Sequence, residues 1–362
     1  MVPLFAQYVK AGKKYLKPKH SINFKNSKLT IDYMISLGIE STAHTFGCAI
    51  VEEKEGKCIV HSNEKKAFVT DEGGMLPHKV ADHHTNCCVQ VFELALSKAN
   101  KNINDIDLIS FSQSPGIGQM LRVGCMFAKS LSKINKIPIV GVNHCIAHLE
   151  IGNALTGAKD PVMLYASGAN TQVIAYEGKK YRVFGETLDI GVGNFLDAFA
   201  RHVGFGFPGG PKIAELAKKG KYIELPYTVK GMDTAFSGLL TEVKKMHKQG
   251  VPIEDICYSI QETVFAELLE VTERAMAHCQ KNELLLGGGV ACNERLQEMA
   301  KKMCDERGAK LFVPQRQFLV DNAAMIAWFG ILQKNDSTLD VTNIKIDPYL
   351  RTDDIKVTWR ND

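Results

Sequence analysis

Short apolar runs bounded by polar turns alternate along this chain with longer segments in which apolar residues recur every three or four positions. The first pattern is typical of buried strands and the second of amphipathic helices. From Met34 onward the pattern predicts three strands, a helix, a strand, a helix and a strand. The predicted strands cover residues 34–39, 46–51, 58–61, 107–111 and 137–142, and the predicted helices cover 79–99 and 119–134.

The same order begins again at Val162, which indicates a repeated unit. Strands are predicted at residues 162–166, 171–176, 181–184 and 284–286, and a helix at 292–306. Each copy opens with a strand, a turn that contains Ser or Thr, and a second strand. This repetition predicts a duplicated α/β fold with two lobes and a ligand-binding cleft between them. We expect lobe I to comprise residues 34–155, completed by 326–362, and lobe II to comprise residues 156–325.

Residues 1–33 differ from the rest in composition, and we expect there a basic flexible leader or an extension ahead of a start at Met34. They hold seven lysines against one acidic residue, Asp32. Without them the net charge of +4 becomes slightly negative. A nearly neutral body is a poor candidate for holding a long nucleic acid unaided, which favours a basic partner.

The cysteines and the apolar segments indicate a cytoplasmic chain without a membrane span. Ten cysteines are scattered with no CxxC pair, and no secretory segment opens the chain, so reduced thiols are favoured. The apolar stretches stop well short of the roughly 20 residues that a membrane helix needs. We therefore expect no disulfides and no membrane partner.

The segment 143–148 carries the sharpest metal signal, because it places His144 and His148 four residues apart. Histidines at this spacing share a helix face, so both imidazoles can approach one cation. The same spacing also arises by chance in histidines that cap or pack, and spacing alone leaves both alternatives open. A zinc-protease site is disfavoured, because Cys145 stands where such a site has its general-base glutamate.

Three loops have the composition of phosphate- or sugar-binding segments. Residues 38–43 and 165–171 form matching turns that offer hydroxyls and backbone N–H groups. Polar hairpin turns are common, so only their repetition favours ligand binding. The third loop, 286–293, places three glycines between a strand and a helix. Close approach of an anionic ligand would explain them, and tight strand-to-helix packing is the alternative.

Two further segments combine glycines with polar residues. Asp197 lies on a predicted helix that follows the glycines of 189–194, and Gly210 belongs to the segment 207–211. An acid beside a ribose and a glycine beneath a base would explain the pair. A surface charge is the alternative explanation for Asp197.

Six segments occur in an order that resembles one known family. They are Gly38-Ile-Glu-Ser-Thr-Ala43, Asn143-His-Cys-Ile-Ala-His148, Ser167-Gly-Ala-Asn-Thr-Gln172, Pro208-Gly-Gly-Pro211, Gly287-Gly-Gly-Val-Ala291 and Asp321-Asn-Ala-Ala-Met325. Together they resemble the Kae/TsaD/Qri family of tRNA N6-adenosine threonylcarbamoyltransferases, once called O-sialoglycoprotein endopeptidases. The resemblance runs from Met34 to the C-terminus. The tail segments 346–348, 351–353 and Trp359-Arg360 are similar to the archaeal and eukaryotic branch, whose members work in the KEOPS complex.

The resemblance implies the two-lobed fold of the actin, Hsp70 and sugar-kinase superfamily, with duplicated ribonuclease H-like lobes. It implies one metal, with iron expected first and zinc second, and an ATP- or AMP-type nucleotide with Mg²⁺ as an option. The implied metal ligands are His144, His148, Tyr165 and Asp321, and the implied catalytic residues are His144, His148 and Asp321. The implied nucleotide contacts are Tyr165, Ala166, Ser167, Gly168, Ala169, Asp197, Gly210 and Asn293. Four residues after Gly210 the family usually has glutamate, whereas this chain has Ala214 with Glu215 beside it.

The resemblance also implies the reaction. The threonylcarbamoyl group passes from threonylcarbamoyl-AMP to N6 of the tRNA adenosine beside the anticodon, and our hypothesis is that the metal orients the adenylate and polarises its carbonyl. Implied partners are tRNA, a kinase-like ATPase subunit, fused or separate, a dimerising subunit and an RNA-binding subunit. The alternatives are a phosphotransferase of the same fold, a nucleotide-gated scaffold and, less favoured, a metalloendopeptidase.

Overall fold

Two five-stranded sheets of the same strand order form the framework of the protein. The computed structural model describes residues 33–70 and 75–360, so the predicted leader at 1–33 lies outside the described residues apart from Tyr33. In both sheets the first strand of the copy pairs antiparallel with the second and parallel with the fourth. The duplicated α/β pattern predicted from the sequence is therefore confirmed.

The first sheet has the order β3-β2-β1-β4-β5. Its strands are β1 (Tyr33–Glu40), β2 (Thr45–Lys54), β3 (Lys57–Ala67), β4 (Leu108–Ser114) and β5 (Ile139–Asn143). β1 and β4 are buried almost throughout, as expected for strands that helices cover on both faces. The helices on one face are α1 (Pro77–Lys98) and α2 (Gly118–Asn135).

The second sheet has the order β10-β9-β6-β7-β8. Its strands are β6 (Val162–Ala166), β7 (Thr171–Glu177), β8 (Lys180–Glu186), β9 (Glu283–Gly287) and β10 (Lys310–Phe312). Its outer face shares a core with helices α4 (Val192–His202), α5 (Gly210–Ala217), α6 (Ser237–Lys248), α7 (Ile253–His278) and α8 (Glu294–Arg307). A short helix, α9 (Arg316–Leu319), follows β10.

A further core lies between the two sheets and joins them. It contains α3 (His144–Thr156) and α10 (Ala323–Leu332), together with residues of both sheets such as Val51 and Met163. Residues 323–331 are all buried. Burial on every side explains why α10 is apolar all round and not amphipathic.

The predicted elements are observed, and the differences lie at their ends. β3 runs to Ala67, well past the predicted residue 61, because it pairs along β2 although its outer residues are exposed. The helix predicted from residue 292 begins at Glu294, since Gly289–Cys292 forms a 3-10 turn. A pattern based on apolar residues alone does not detect either feature.

Residues 333–360 form a tail that contacts both sheets. It contains the 3-10 turns Lys334–Asp336 and Thr352–Asp354. Thr352 Oγ1 donates to Gln172 Oε1 at 3.1 Å, and the indole N–H of Trp359 donates to Glu150 Oε1 at 2.7 Å. Side-chain contacts therefore hold the tail in place. Within 33–70 and 75–360, no helix combines the length and the apolar character that crossing a membrane requires.

The packing of α10 on β1 leaves no room for a side chain at Gly38. A Cβ there would lie 2.1 Å from Ala323 O and 2.6 Å from Ala327 N. We expect Gly38→Ala to lower the free energy of unfolding by about 1–3 kcal/mol, as overpacking does. Urea denaturation followed by circular dichroism measures the change.

The matched control is Gly238→Ala on the exposed first turn of α6, where a Cβ would meet nothing within 4 Å. Alanine favours a helix over glycine by up to about 1 kcal/mol, so this variant should be unchanged or slightly more stable. Equal destabilisation by the two changes would contradict the close contact of β1 with α10.

Candidate active site

His144 and His148 lie one turn apart on α3, as their spacing predicts. Both are buried, and their ring centroids are 4.8 Å apart. The helix begins directly after β5, where the side chain of Asn143 accepts a hydrogen bond from Ile146 N at 3.1 Å. This N-cap fixes the turn that carries His144.

Glu40 supports His144 from the end of β1. Its carboxylate is fully buried and lies 2.9 Å from His144 Nδ1. It also accepts hydrogen bonds from the backbone N–H and the hydroxyl of Thr42, at 2.6 and 2.5 Å. A carboxylate can only accept, so Nδ1 of His144 is the donor and Nε2 is directed toward Asp321.

Asp321 completes the cluster from a distant part of the sequence. Its Oδ1 lies 3.4 Å from His144 Nε2 and 3.7 Å from His148 Nε2. One potential ligand atom from each of the three residues lies within 4.8 Å of the others. Asp321 immediately precedes Asn322, the N-cap residue of α10.

Burial and charge act in opposite directions in this cluster. Burial lowers the pKa of His144, but Glu40 and Asp321 outweigh it and hold that pKa well above its usual value. Burial lowers the pKa of His148, which therefore favours the neutral, metal-binding form. Burial raises the pKa of Asp321, but its contacts with the two histidines outweigh it and hold that pKa well below its usual value.

Tyr165 lies at the end of β6 with its ring against the two histidines. Its centroid is 5.1 Å from that of His148 and 6.4 Å from that of His144. Burial, followed by the neighbouring Cys145, raises the pKa of Tyr165 well above its usual value. Tyr165 is thus close to the cluster, and a phenolate there would require the positive charge of a cation.

The cluster fits a metal ion. Both ring nitrogens of His148 are buried, and neither has a hydrogen-bond partner among the described residues. A buried polar group without a partner costs about 1–3 kcal/mol, and coordination would remove that cost. Two imidazoles, a carboxylate and an adjacent tyrosine are ligands that suit iron or zinc.

The loop at residues 166–169 is fixed by backbone contacts with the start of α4. Ser167 O accepts from Gly193 N at 3.0 Å, and Gly168 O accepts from Asn194 N at 2.9 Å. A Cβ at Gly193 would lie 2.7 Å from Gly168 Cα. The glycine in α4 therefore serves close packing of this loop.

The three glycines that follow the apolar run of β9 have different surroundings. Gly288 has φ +91°, and a Cβ there would lie 2.2 Å from Ala166 O, so packing explains this glycine. A Cβ at Gly289 would meet nothing within 4 Å. Of the three, Gly289 is the glycine that borders open space.

Asp197 lies on α4 and fixes the loop that leads to Gly210. Its Oδ1 accepts from Gly209 N at 2.7 Å, and burial raises its pKa. A Cβ at Gly210 would have only Leu196 Cδ1 near it, at 4.0 Å. The structure therefore gives Asp197 a role in holding the backbone of Gly209, which the sequence did not indicate. The neighbouring Gly210 borders open space.

Glu215 stands beside Ala214, where the family usually has glutamate. It is exposed, and its Oε2 lies 2.8 Å from Lys218 Nζ in a surface ion pair. Its carboxylate is therefore engaged on the outside of α5.

Asn293 is the N-cap of α8. Its Oδ1 accepts from Arg295 N at 2.9 Å, and its Nδ2 donates to Gln261 Oε1 at 2.6 Å. The sequence suggested ligand contact for this residue, and the structure adds a capping role.

Sequence reasoning missed Glu40 as the partner of His144. The segment 38–43 has the pattern of a polar turn, whereas the contact of Glu40 with His144 spans 104 positions along the chain. The available signal was a carboxylate at the end of an otherwise apolar strand, because such a group needs a buried partner.

Solved structures define the class of fold. HypF from T. kodakarensis has a TM-score of 0.58 at 15% identity, covering 83% of this chain and 48% of that one. The activator of 2-hydroxyisocaproyl-CoA dehydratase from Clostridium difficile, with bound ADPNP, has a TM-score of 0.53 at 14% identity, covering 84% and 96%. At these identities the likeness shows the fold alone, and the protein is of the two-lobed actin-like α/β class.

Sequence comparison then gives the family. A model of the TsaD family, tRNA N6-adenosine threonylcarbamoyltransferase, matches residues 58–328. A protein of that name from Thermococcus kodakarensis is 53% identical over 330 residues, covering 90% of this chain and 100% of that one. A "Probable bifunctional tRNA threonylcarbamoyladenosine biosynthesis protein" from Methanocaldococcus jannaschii is 52% identical, covering 90% and 60%. The chain belongs to the tRNA N6-adenosine threonylcarbamoyltransferase family, which confirms the resemblance.

The support that Glu40 gives His144 can be tested through metal affinity. Removing the charge with Glu40→Gln weakens the orientation and basicity of the imidazole, so we expect affinity for Fe²⁺ or Zn²⁺ to fall about 10- to 100-fold. Competition with a chromophoric chelator measures the affinity.

Two histidine variants are the controls, one expected to lose metal binding and one expected to keep it. His148→Ala removes a ligand and should abolish tight binding while the circular dichroism spectrum is retained, whereas His78→Ala, on the exposed start of α1, should bind like wild type. Wild-type affinity in Glu40→Gln would show that the buried hydrogen bond does not tune the metal.

Proposed function

We propose that the chain transfers the threonylcarbamoyl group from threonylcarbamoyl-AMP to N6 of the adenosine beside the anticodon of tRNA. The observation that supports this most is the cluster of the buried His144 and His148 with the half-buried Asp321, supported by Glu40, in a chain of this family. In the reaction N6 bonds to the carbonyl carbon, the bond from that carbon to the phosphate oxygen breaks, and AMP and a proton leave. The reaction balances without an oxidant or a reductant.

His144, His148 and Asp321 would hold the metal, with Tyr165 as a fourth ligand and iron preferred over zinc. When bound, the metal supplies positive charge that stabilises an oxyanion on the carbonyl of the donor. Glu40 keeps the proton on Nδ1 of His144, and a bound cation would displace the second proton, the one on Nε2, that the raised pKa of His144 retains.

The AMP part of the donor would lie along the second lobe. The loop from Tyr165 to Ala169 would face the phosphate, and Asp197 and Gly210 would face the ribose and base. Gly289 leaves open space before α8, whose N-terminus favours an anion. An ATP-type nucleotide would bring Mg²⁺ with its phosphates.

Direct transfer is favoured over a covalent intermediate. Cys145, the thiol next to His144 in sequence, is fully buried, and its sulfur lies 3.6 Å from the side-chain amide of Asn170. A thiol enclosed in this way is a poor nucleophile, which supports direct attack by the adenosine N6.

The proposal extends to organisation and partners. Lobe I would comprise residues 34–155 with 326–362, and lobe II residues 156–325, with the cluster at their junction.

The target base must be presented from a tRNA loop, where bases can be splayed outward. A KEOPS-type set with a kinase-like ATPase, a dimerising subunit and an RNA-binding subunit would supply that presentation in the cytoplasm. The longer bifunctional relative of M. jannaschii supports a fused partner.

Mass spectrometry of threonylcarbamoyladenosine tests the reaction. Unmodified tRNA, threonylcarbamoyl-AMP, the metal-loaded chain and the partner subunits are combined, with wild type beside His144→Ala. We expect product formation to fall by at least about 100-fold in His144→Ala, because catalytic electrostatic contacts are commonly worth that much.

The matched control is His78→Ala, which should retain wild-type activity. Product that does not depend on His144 would favour a nucleotide-gated scaffold, and ATP-dependent phosphorylation in place of transfer would favour a phosphotransferase. Cleavage of a glycoprotein would favour the metalloendopeptidase.

Asn293 needs a variant that separates capping from ligand contact. Asn293→Ser keeps an N-cap, whereas Asn293→Ala loses it at about 0.5–2 kcal/mol of stability. If the amide contacts the nucleotide, Asn293→Ser should bind AMP about 3- to 10-fold more weakly at unchanged stability, the worth of one hydrogen bond. Calorimetric titration measures this, and unchanged affinity would leave Asn293 with its capping role only.

A further inference from the structure

A positively charged surface lies on the second half of α6, one of the helices that cover the second sheet. Residues 241–249 contain three lysines and one histidine against a single acid, Glu242. The residues that line one hollow in this surface are Thr241, Lys244, Lys245, Lys248 and Gln249. The chain from Met34 onward carries a slightly negative net charge. This stretch is therefore a local concentration of positive charge on a nearly neutral body.

The three lysines share the face of α6 that points away from the core. The buried residues on the opposite face are Leu239, Val243 and Met246. Helix positions three and four residues apart are neighbours on the surface, which brings Lys244 and Lys245 beside Lys248. Helical spacing thus places three ammonium groups around one hollow.

An acidic neighbour neutralises only one of the three lysines. Lys245 Nζ lies 3.2 Å from Glu242 Oε1, whereas Lys244 and Lys248 form no ion pair with any residue in the ranges 33–70 and 75–360. The helix dipole favours Lys248, which lies in the last turn, but not Lys244, which lies before it. Like charges four residues apart destabilise a helix. Helix stability therefore does not explain this pair, whereas an anionic partner would.

Two histidines extend the positive region to the end of α4. The ring of His247 lies against that of His202, the last residue of α4, with 5.3 Å between the centroids. Burial lowers the pKa of His202, and the nearby His247, Lys244 and Lys248 lower it further. The surroundings of His202 therefore disfavour a cation and favour an anion.

The composition of this surface favours an RNA backbone over an acidic protein. The centre of a protein interface is enriched in aromatic residues and depleted of lysine. Between residues 237 and 249, all of which the structure describes, no large apolar side chain is exposed. Lysines that bind phosphates act as point charges and need no apolar surface around them.

We propose that this surface of α6, with the end of α4 beside it, binds backbone phosphates of tRNA. The inference rests on the proposed function, which makes tRNA the substrate. α4 begins against the loop at 166–169, where Gly193 N donates to Ser167 O at 3.0 Å. Its 11 residues span roughly 16 Å at about 1.5 Å each. That is the length of about five nucleotides at about 3.4 Å each, so the surface would hold the tRNA away from the reacting adenosine.

Binding of fluorescein-labelled, unmodified tRNA at several salt concentrations tests the proposal. The protein is the full-length, metal-loaded chain with the partner subunits, either wild type or Lys244→Met/Lys248→Met. We expect this double variant to bind tRNA at least about tenfold more weakly, because it loses charged hydrogen bonds. The slope of log affinity against log salt should become shallower by roughly 1.4 to 1.8, since each phosphate contact contributes about 0.7 to 0.9. Fluorescence anisotropy measures both quantities.

The matched control is Lys301→Met/Lys302→Met on α8. It removes the same two charges, but these lysines are already paired with acids one turn further on, Asp305 and Glu306. We expect wild-type affinity and salt dependence. Lysine and methionine have similar helix propensities, so both double variants should keep the circular dichroism spectrum of wild type.

Two further readouts separate phosphate contacts from a general loss of structure. A tRNA with guanosine at the target position should lose affinity for Lys244→Met/Lys248→Met by the same factor, because phosphate contacts do not depend on the base. In the transfer assay the KM for tRNA should rise about tenfold, in line with the affinity. The kcat and the calorimetric affinity for AMP should not change.

Equal tRNA affinity and salt dependence in the two double variants would overturn the proposal. Vesicles that contain anionic lipid are a second probe, and lysine-dependent binding of these vesicles without lysine-dependent binding of tRNA would assign the surface to a membrane instead. Failure of the proposed function is a different result, because wild type would then form no threonylcarbamoyladenosine. The binding measurements do not depend on that product.

Discussion

The fully buried carboxylate of Glu40 is the constraint on which the candidate site depends. An ionised carboxylate without partners is too costly to keep in a protein interior. Thr42 supplies two donors from the same turn, and His144 supplies a third from α3. The need for this third donor ties the first strand of one sheet to the helix that lies between the sheets. The orientation of the His144 ring, and therefore the direction of Nε2 toward Asp321, follows from that contact.

The shared core explains how the cluster is held in position. α3 and α10 both lie between the two sheets, and Asp321 immediately precedes the cap of α10. Residues carried by packed helices are positioned more accurately than residues on mobile loops. The nucleotide side differs, because its loop is fixed by backbone contacts with α4 and by Gly288. The candidate metal centre is thus supported by side chains, and the loop at 166–169 mainly by backbone.

The sequence predicted what depends on local pattern and missed what depends on distant contacts. The strand and helix order was predictable because burial imposes periods of 2.0 and 3.6 on apolar residues, and His144 and His148 share a face for the same reason. The partnership of Glu40 with His144 has no local pattern. Asn293 and Asp197 looked like ligand contacts, yet their oxygens also accept backbone N–H groups that the sequence does not identify. The tail at 333–360 has no periodicity, because individual contacts such as Trp359 to Glu150 hold it.

The repeated turn is built differently in the two copies. The first reads Glu40-Ser-Thr-Ala-His-Thr45 and the second Ala166-Ser-Gly-Ala-Asn-Thr171, with Ser, Ala and Thr at matching positions. In the first copy the Glu40 carboxylate turns back onto Thr42 and reaches His144. In the second copy Ala166 and Gly168 have no polar side chain, and the turn is closed by Ser167 with Asn170, where the hydroxyl and the backbone N–H of Ser167 donate to Asn170 O at 3.0 and 2.9 Å. Gly288, which has no side chain, approaches the backbone of Ala166 closely, and Gly168 and Ala169 are exposed. The differences at Glu40 and Thr42 therefore separate the polar support of the metal cluster from a loop that a nucleotide can approach.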